Sequence, residues 1–165
     1  MQPALLVIDI QNEYLKYIPE RDRETGLFII NTLIEFFRVQ NQPIYRIYHQ
    51  SPEHGTEEGK EAFEFPGEIR IEESDPQVIK HYPNAFKKTG LDEMLRENGI
   101  NTLFLCGLSA VGCVMATYWG ALDLDYLPFM IREAVMSHST ELTGKALDIT
   151  EALSPDTVGF MLKKL

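Results

Sequence analysis

The chain has 165 residues, of which 44% are hydrophobic and 24% charged, with a formal net charge of −10. This size and composition predict one folded domain over residues 1–165. The acidic balance argues against a general nucleic-acid binder and against an anionic membrane surface as a partner, because phosphates are neutralised by concentrated Lys and Arg. Two cysteines are too few for a disulfide framework, and no basic segment precedes the first apolar run, so a cytoplasmic protein is expected.

Apolar runs and helical periodicities alternate along the chain. The predicted strands cover residues 3–8, 44–48, 77–80, 102–106, 126–131 and 157–160. The predicted helices cover residues 23–40, 91–98, 111–124 and 141–153. Residues 51–75 are rich in Glu, Gly and Pro and predict a long loop, of a kind that is often functional. The alternation predicts an α/β fold with a mostly parallel sheet between two layers of helices.

Four chemically useful side chains lie where predicted strands end. Asp9 ends the first strand, His49 follows the second, Lys80 ends the third, and Cys113 opens the helix after the fourth. Ligands of parallel α/β sheets bind at the carboxyl ends of the strands, so these groups are predicted to converge on one crevice. Each also has an ordinary explanation: Asp9 as an acceptor for loop N–H groups, Lys80 as solvated surface, His49 as a loop residue.

Cys113 is the strongest single candidate. Its sulfur is expected to lie beside unpaired N–H groups, because a helix begins at the cysteine, after a buried strand and a turn with Gly107 and Gly112. Such N–H groups favour a thiolate and can hold an oxyanion. The alternative is a small buried apolar residue, which is the interpretation adopted for Cys106. A Cys–His arrangement with His49 is a rival, whereas the spacing around His49 gives little support for a metal ligand.

Phosphate-binding signals are absent. The glycines near Cys113 do not form G-x-G-x-x-G, and the loop after the first strand is acidic and free of glycine. Neither pattern suits a flavin or nucleotide phosphate, so no cofactor is predicted.

Three motifs in the same order resemble the isochorismatase-like cysteine hydrolases. They are Leu-Leu-Val-Ile-Asp-Ile-Gln-Asn at 5–12, Lys-His-Tyr-Pro-Asn-Ala-Phe-Lys-Lys-Thr-Gly-Leu at 80–91 and Gly-Leu-Ser-Ala-Val-Gly-Cys-Val-Met-Ala-Thr at 107–117. The resemblance implies a catalytic triad of Asp9, Lys80 and Cys113 on a Rossmann-like six-stranded sheet. It also implies a cis peptide at Leu108–Ser109, an oxyanion hole made by the N–H groups of Ser109 and Cys113, and a homo-oligomer.

The chain departs from the family pattern at several positions. Ala110 replaces a usual Thr, Asn84 replaces a Ser, and Gly120 stands where an Asp is common. The nicotinamidase metal motif is missing, because Ile47 stands where an Asp is needed before His49. Neither nicotinamidase activity nor a metal is therefore predicted.

These observations predict hydrolysis of a small amide or carbamoyl C–N bond through a thioester. The alternatives are vinyl-ether hydrolysis of the isochorismatase type, in which Asp9 acts as a general acid without a thiol, and a catalytically silent binding or scaffold protein. The residues expected to bind substrate are Gln11, Tyr14, His49, Phe86 and Tyr118, with residues 51–75.

Overall fold

The computed structural model describes all 165 residues and contains one six-stranded sheet in which every paired strand is parallel. The strands are β1 Pro3–Ile8, β2 Ile44–His49, β3 Gln77–Lys80, β4 Thr102–Leu108, β5 Leu127–Met136 and β6 Ala152–Leu153. Their order is β3-β2-β1-β4-β5-β6. The predicted α/β fold with a Rossmann-like parallel sheet is confirmed.

Helices cover both faces of the sheet. They are α1 Asn12–Leu15, α2 Glu20–Val39, α3 Leu91–Glu97, α4 Cys113–Asp123, α5 Thr140–Asp148 and α6 Pro155–Leu162. Side chains of β1 alternate between two apolar clusters, one on each face of the sheet. Leu5 and Val7 pack on the side of α2 and α6. Leu6 and Ile8 pack on the side of α3, α4 and α5. None of these helices combines the length and apolar character needed to span a bilayer.

The C-terminal region differs from the sequence-based prediction. Residues 157–160 were expected to form a strand but lie in α6, and β6 falls inside the predicted helix 141–153. Ser154 caps α6 by accepting a hydrogen bond from the Thr157 N–H at 3.2 Å, and Pro155 occupies its first turn. A Ser-Pro pair followed by apolar residues at helical spacing favours a helix start, and this signal outweighs the β propensity of Val158 and Phe160.

Strand β5 is longer than the predicted 126–131 because it continues through an irregularity. Its pairing with β4 shifts register between Leu105 and Gly107, and Glu133 has a positive φ of 66°. The exposed pair Arg132 and Glu133 interrupts the apolar run at this bulge, so the sequence pattern ends too early.

The loop 51–75 packs against the sheet. Phe63 and Phe65 stack on Tyr48 with ring centroids 4.8 and 4.2 Å away. Arg38 on α2 binds both carboxylate oxygens of Asp75, at 2.8 and 2.9 Å. This bidentate pair fixes the end of the loop next to the start of β3.

Gly107 permits a close approach of β4 to β1 beside Asp9. Its φ is +110°, and a Cβ atom at this position would lie 2.0 Å from the carbonyl oxygen of Ile8. Only glycine fits both the conformation and the space. The residue that follows Ile8 is Asp9, whose own φ of 52° turns the chain out of the strand.

We expect Gly107→Ala to lower the free energy of unfolding by roughly 3 kcal/mol or more, because strain and a backbone clash add. Gly144→Ala is the matched control, since Gly144 lies in α5 with no atom near the added methyl group. It should raise stability by about 0.5–1 kcal/mol through helix propensity. Urea denaturation of both variants measures the difference, and equal effects would contradict the close approach.

Candidate active site

A cavity of about 290 Å³ opens at the carboxyl ends of the strands. Its lining is predominantly aromatic, apolar and histidine side chains around the carboxylate and the thiol, contributed by Asp9, Tyr14, Tyr17, Ile18, His49, His54, Leu108, Ser109, Cys113 and His138. The first strand–helix loop, the end of β2 and the start of α4 meet here. The predicted residues Asp9, Tyr14, His49, Ser109 and Cys113 are thus brought together.

Asp9 and Lys80 form a buried ion pair at the base of this cavity. Asp9 is 1% exposed and Lys80 0% exposed, and Lys80 Nζ lies 2.7 Å from Asp9 Oδ2. The two atoms are close enough for an ion pair, but the angles between them are not those of a hydrogen bond. Both buried oxygens of the Asp9 carboxylate are therefore without a hydrogen-bond donor. Burial raises the pKa of Asp9, and the ammonium of Lys80 opposes that rise. Lys80 is therefore not the solvated surface residue that its position alone would favour.

Lys80 has two further electron-rich neighbours. Its Nζ atom lies 2.9 Å from His49 Nδ1 and donates to the carbonyl oxygen of Tyr82 at 3.2 Å. His49 Nδ1 and the Tyr82 carbonyl oxygen each take one of the three ammonium protons, and the Asp9 carboxylate neutralises the positive charge at ion-pair distance. Burial, followed by the charge of Lys80, lowers the pKa of His49 to about 4, so its ring is neutral at neutral pH.

Cys113 is the first residue of α4 and is partly buried beside Asp9. Burial, together with the negative charge of Asp9, raises the pKa of the thiol to about 12, and Lys80 opposes this only in part. The N–H groups at the helix start were expected to favour a thiolate, but they do not bring the pKa of this thiol below its ordinary value. Desolvation outweighs the backbone N–H groups, and Cys113 holds its proton until a base removes it.

The atoms that could ligate a metal are close together. An oxygen of Asp9, a ring nitrogen of His49 and the sulfur of Cys113 all lie within 4.8 Å of one another. However, Lys80 Nζ already contacts both Asp9 Oδ2 and His49 Nδ1. A metal ion bound to those atoms would have to displace a buried positive charge, so the donor set does not fit a resident cation.

Two backbone donors border the thiol. The N–H groups of Ser109 and Cys113 donate no hydrogen bond to another group of the protein, although most neighbouring N–H groups do. Their two residues line the cavity, and the peptide bond between Leu108 and Ser109 is cis. Free N–H groups next to a nucleophile can stabilise an oxyanion.

Three residues expected to bind substrate do not line the cavity. Gln11 is fully buried, and its amide group bonds the backbone of His49, accepting from the N–H at 2.7 Å and donating to the C=O at 3.1 Å. Phe86 stacks on Tyr126 with centroids 5.7 Å apart. The hydroxyl of Tyr118 accepts from the Glu151 N–H at 2.9 Å. Tyr118 is buried in the core and Phe86 is partly buried against it, which helical spacing and motif position did not reveal.

Several lining residues were not predicted. Tyr17 and Ile18 follow the short helix α1. His54, which ends a 3₁₀-helix at Pro52–His54, lies in the loop 51–75, which was expected to contribute to substrate binding although this histidine was not singled out. His138 follows β5, and it could have been found from the strand-end rule had the strand been extended through Val135 and Met136.

Two departures from the family pattern lie in contact with each other. A Cβ atom at Gly120 would be 2.3 Å from Asn84 Nδ2, so the missing side chain leaves the space that the asparagine occupies. Asn84 Oδ1 accepts from the Phe86 N–H at 2.9 Å, and Thr117 Oγ1 accepts from the Ala85 N–H at 3.0 Å. The segment after Lys80 is thereby docked on α4, the helix that carries Cys113.

Comparison with known proteins gives a consistent set of similarities. The isochorismatase domain model matches residues 3–154. The uncharacterized isochorismatase family protein YddQ of Bacillus subtilis is 28% identical over 154 residues, which are 88% of this chain and 83% of that protein. The solved N-carbamoylsarcosine amidase from Thermoplasma acidophilum is 28% identical with a TM-score of 0.80, over 93% of this chain and 95% of that one. An isochorismatase-like hydrolase from Alkaliphilus metalliredigens shares the fold, with a TM-score of 0.88 at 23% identity over 98% of this chain and 99% of that one.

The negative charge of Asp9 raises the pKa of the Cys113 thiol, so the variant Asp9→Asn should change that pKa. Removing the carboxylate charge removes a repulsion that disfavours the thiolate, so the pKa of Cys113 should fall below about 12. The rate at which iodoacetamide alkylates Cys113 measures this when it is followed against pH by mass spectrometry, in a Cys106→Ala background so that no second thiol reacts. An unchanged or higher pKa would show that Asp9 does not act on the thiol.

Proposed function

The chain belongs to the isochorismatase family of hydrolases, and we propose that it is a cysteine hydrolase that cleaves the C–N bond of a small amide or carbamoyl compound. The observation that carries this proposal is the buried Asp9 carboxylate, which has no hydrogen-bond donor and lies within 4.8 Å of the Cys113 sulfur. A carboxylate in that state is ready to accept a thiol proton. The similarity to a solved N-carbamoylsarcosine amidase supports a C–N bond as the target.

The first half of the reaction forms a thioester. Asp9 removes the proton of Cys113, and the sulfur attacks the substrate carbonyl carbon. The N–H groups of Ser109 and Cys113 stabilise the negative oxygen of the tetrahedral intermediate. When the C–N bond breaks, protonated Asp9 gives its proton to the departing nitrogen, which leaves as ammonia or an amine.

The second half releases the product. Asp9, ionised again, takes a proton from water as the water oxygen attacks the thioester carbonyl. The carbon–sulfur bond then breaks, the acid departs, and the proton returns to the sulfur of Cys113. Throughout, the positive charge of Lys80 opposes the effect of burial on the pKa of Asp9 and stabilises the transient thiolate.

Asp9 is a better candidate for the base than His49. The single lone pair of His49 Nδ1 faces Lys80 Nζ at 2.9 Å, and Cys113 Sγ lies farther from this nitrogen, at 3.9 Å. The pKa of about 4 also makes the ring a weak proton acceptor. These observations favour an Asp-Lys-Cys triad over a Cys–His dyad.

The cavity lining favours an uncharged substrate. Beyond the reacting groups, the substrate would contact Tyr14, Tyr17, Ile18 and Leu108, together with His54 and His138. The positive charge of Lys80 is buried and already paired, so a substrate carboxylate placed in the cavity would lose water without gaining a cationic partner.

We expect Cys113→Ala to abolish ammonia release from a panel of small primary amides and ureides, and Asp9→Asn to lower kcat by about 10²–10⁴. The matched control is Cys106→Ala, because Cys106 is buried in β4 away from the cavity and should be dispensable for turnover. Normal turnover by Cys113→Ala would exclude the thioester and favour a route in which Asp9 acts alone as a general acid.

The largely uncharged lining of the cavity predicts that the enzyme hydrolyses one of two nearly isosteric amides with the higher kcat/KM. Glutaramide should be hydrolysed at least about tenfold better in kcat/KM than glutaramate, which carries a carboxylate in place of the second amide. Tyr17 is exposed at the cavity, so Tyr17→Arg should raise kcat/KM for glutaramate by roughly two- to fivefold. Tyr17→Met is the uncharged control. If the wild-type enzyme preferred glutaramate, the cavity would not favour uncharged substrates, although the proposal of amide hydrolysis would still stand.

A further inference from the structure

His49 lies between the two charged members of the site because of the strand order. The sheet order β3-β2-β1 places the end of β2 between the ends of β3 and β1. His49 is the last residue of β2 and is in register with Lys80 on β3. Lys80 must therefore reach Asp9 past His49, and its Nζ atom contacts both.

The backbone of His49 is fixed by a buried amide. The side-chain amide of Gln11 accepts a hydrogen bond from the His49 N–H at 2.7 Å and donates one to the His49 C=O at 3.1 Å. It thus bonds the His49 backbone as a residue of a neighbouring strand would. Gln11 follows Asp9 by two residues, so one short segment carries both the carboxylate and the group that holds the histidine. Full burial leaves this amide no water with which to exchange partners.

The contact between His49 and Lys80 fixes the tautomer of the ring. An ammonium has protons but no lone pair, so His49 Nδ1 must accept, and the neutral ring then carries its proton on Nε2. The titratable groups around the ring are Lys80, Asp9, Cys113, His54 and His81, and the phenol of Tyr14 packs edge-on at 6.1 Å between ring centroids. A neutral acceptor is the state that best tolerates the adjacent ammonium.

We propose that His49 is a positioning residue that, held by Gln11, accepts a hydrogen bond from Lys80 through Nδ1 and thereby keeps the ammonium against Asp9. The proposal rests on the amide hydrolysis described above. It assigns His49 neither to proton transfer nor to metal binding. Without the acceptor, one ammonium proton would be buried unpaired, and Lys80 would shift away from Asp9 to find a partner.

A set of three variants separates this role from others. His49→Asn places an amide oxygen where Nδ1 stood, and we expect it to retain most of kcat. His49→Gln places its polar atoms nearer to Nε2, and His49→Leu has none. Both should lose about 10–100-fold in kcat with KM little changed, because a hydrogen bond to a charged group is lost. A raised KM at constant kcat would instead show that His49 contacts substrate and would overturn the proposal, as would equal losses in all three variants.

Nitrogen NMR of the ring tests the same contact without any substrate. In the wild-type protein, the His49 ring should be neutral at pH 7 with its proton on Nε2. In Lys80→Met, the pKa of His49 should rise above about 4, because the positive charge that lowers it is gone. A proton on Nδ1 in the wild type would refute the proposal even in an active enzyme. If no amide is hydrolysed by the wild type, the proposed function fails, and the NMR result still decides the contact.

Discussion

The chemistry of this site depends on a single buried ion pair. Asp9 and Lys80 are 2.7 Å apart and shielded from solvent, in a place where neither charge could persist alone. Removing water from both groups is costly, and that cost is offset only while the two charges remain adjacent. The ends of β1 and β3 are consequently tied together across β2 at the base of the cavity.

The same pair also acts on the nucleophile. Burial, and then the negative charge of Asp9, raise the pKa of the Cys113 thiol, and Lys80 opposes this only in part, so Cys113 is protonated at rest. In the proposed reaction, the nucleophile would form only when a carbonyl is present to receive the sulfur, and the resting thiol would be protected from unwanted reactions. The free N–H groups of Ser109 and Cys113 are fixed in advance by the turn before α4, so stabilising an oxyanion requires no rearrangement.

Supporting contacts hold these groups from several directions. Asn84 occupies the space left by Gly120 and docks the segment after Lys80 on α4. The stacked rings of Tyr48, Phe63 and Phe65 and the Arg38–Asp75 pair attach the long loop to the sheet. Through that loop, His54 reaches the cavity. Two positions that depart from the family pattern, Asn84 and Gly120, are thus packed against each other, and the larger side chain of one fills the space that the other leaves.

The sequence by itself determined the α/β fold, the parallel sheet and the convergence of Asp9, Lys80 and Cys113, because strand periodicity and the position of strand ends are local properties of the chain. The sequence-based assignment of β6 and α6 was wrong, because the cap at Ser154 and the burial of Val158 outweighed β propensity. The sequence also did not reveal His138 as a cavity residue, because His138 lies beyond the bulge at Glu133. Only the tertiary structure decided that Cys113 is a thiol rather than a thiolate, that Gln11 holds His49, and that Phe86 and Tyr118 lie away from the cavity. Desolvation, hydrogen-bond partners and side-chain packing arise between residues far apart in the chain, so no local pattern specifies them.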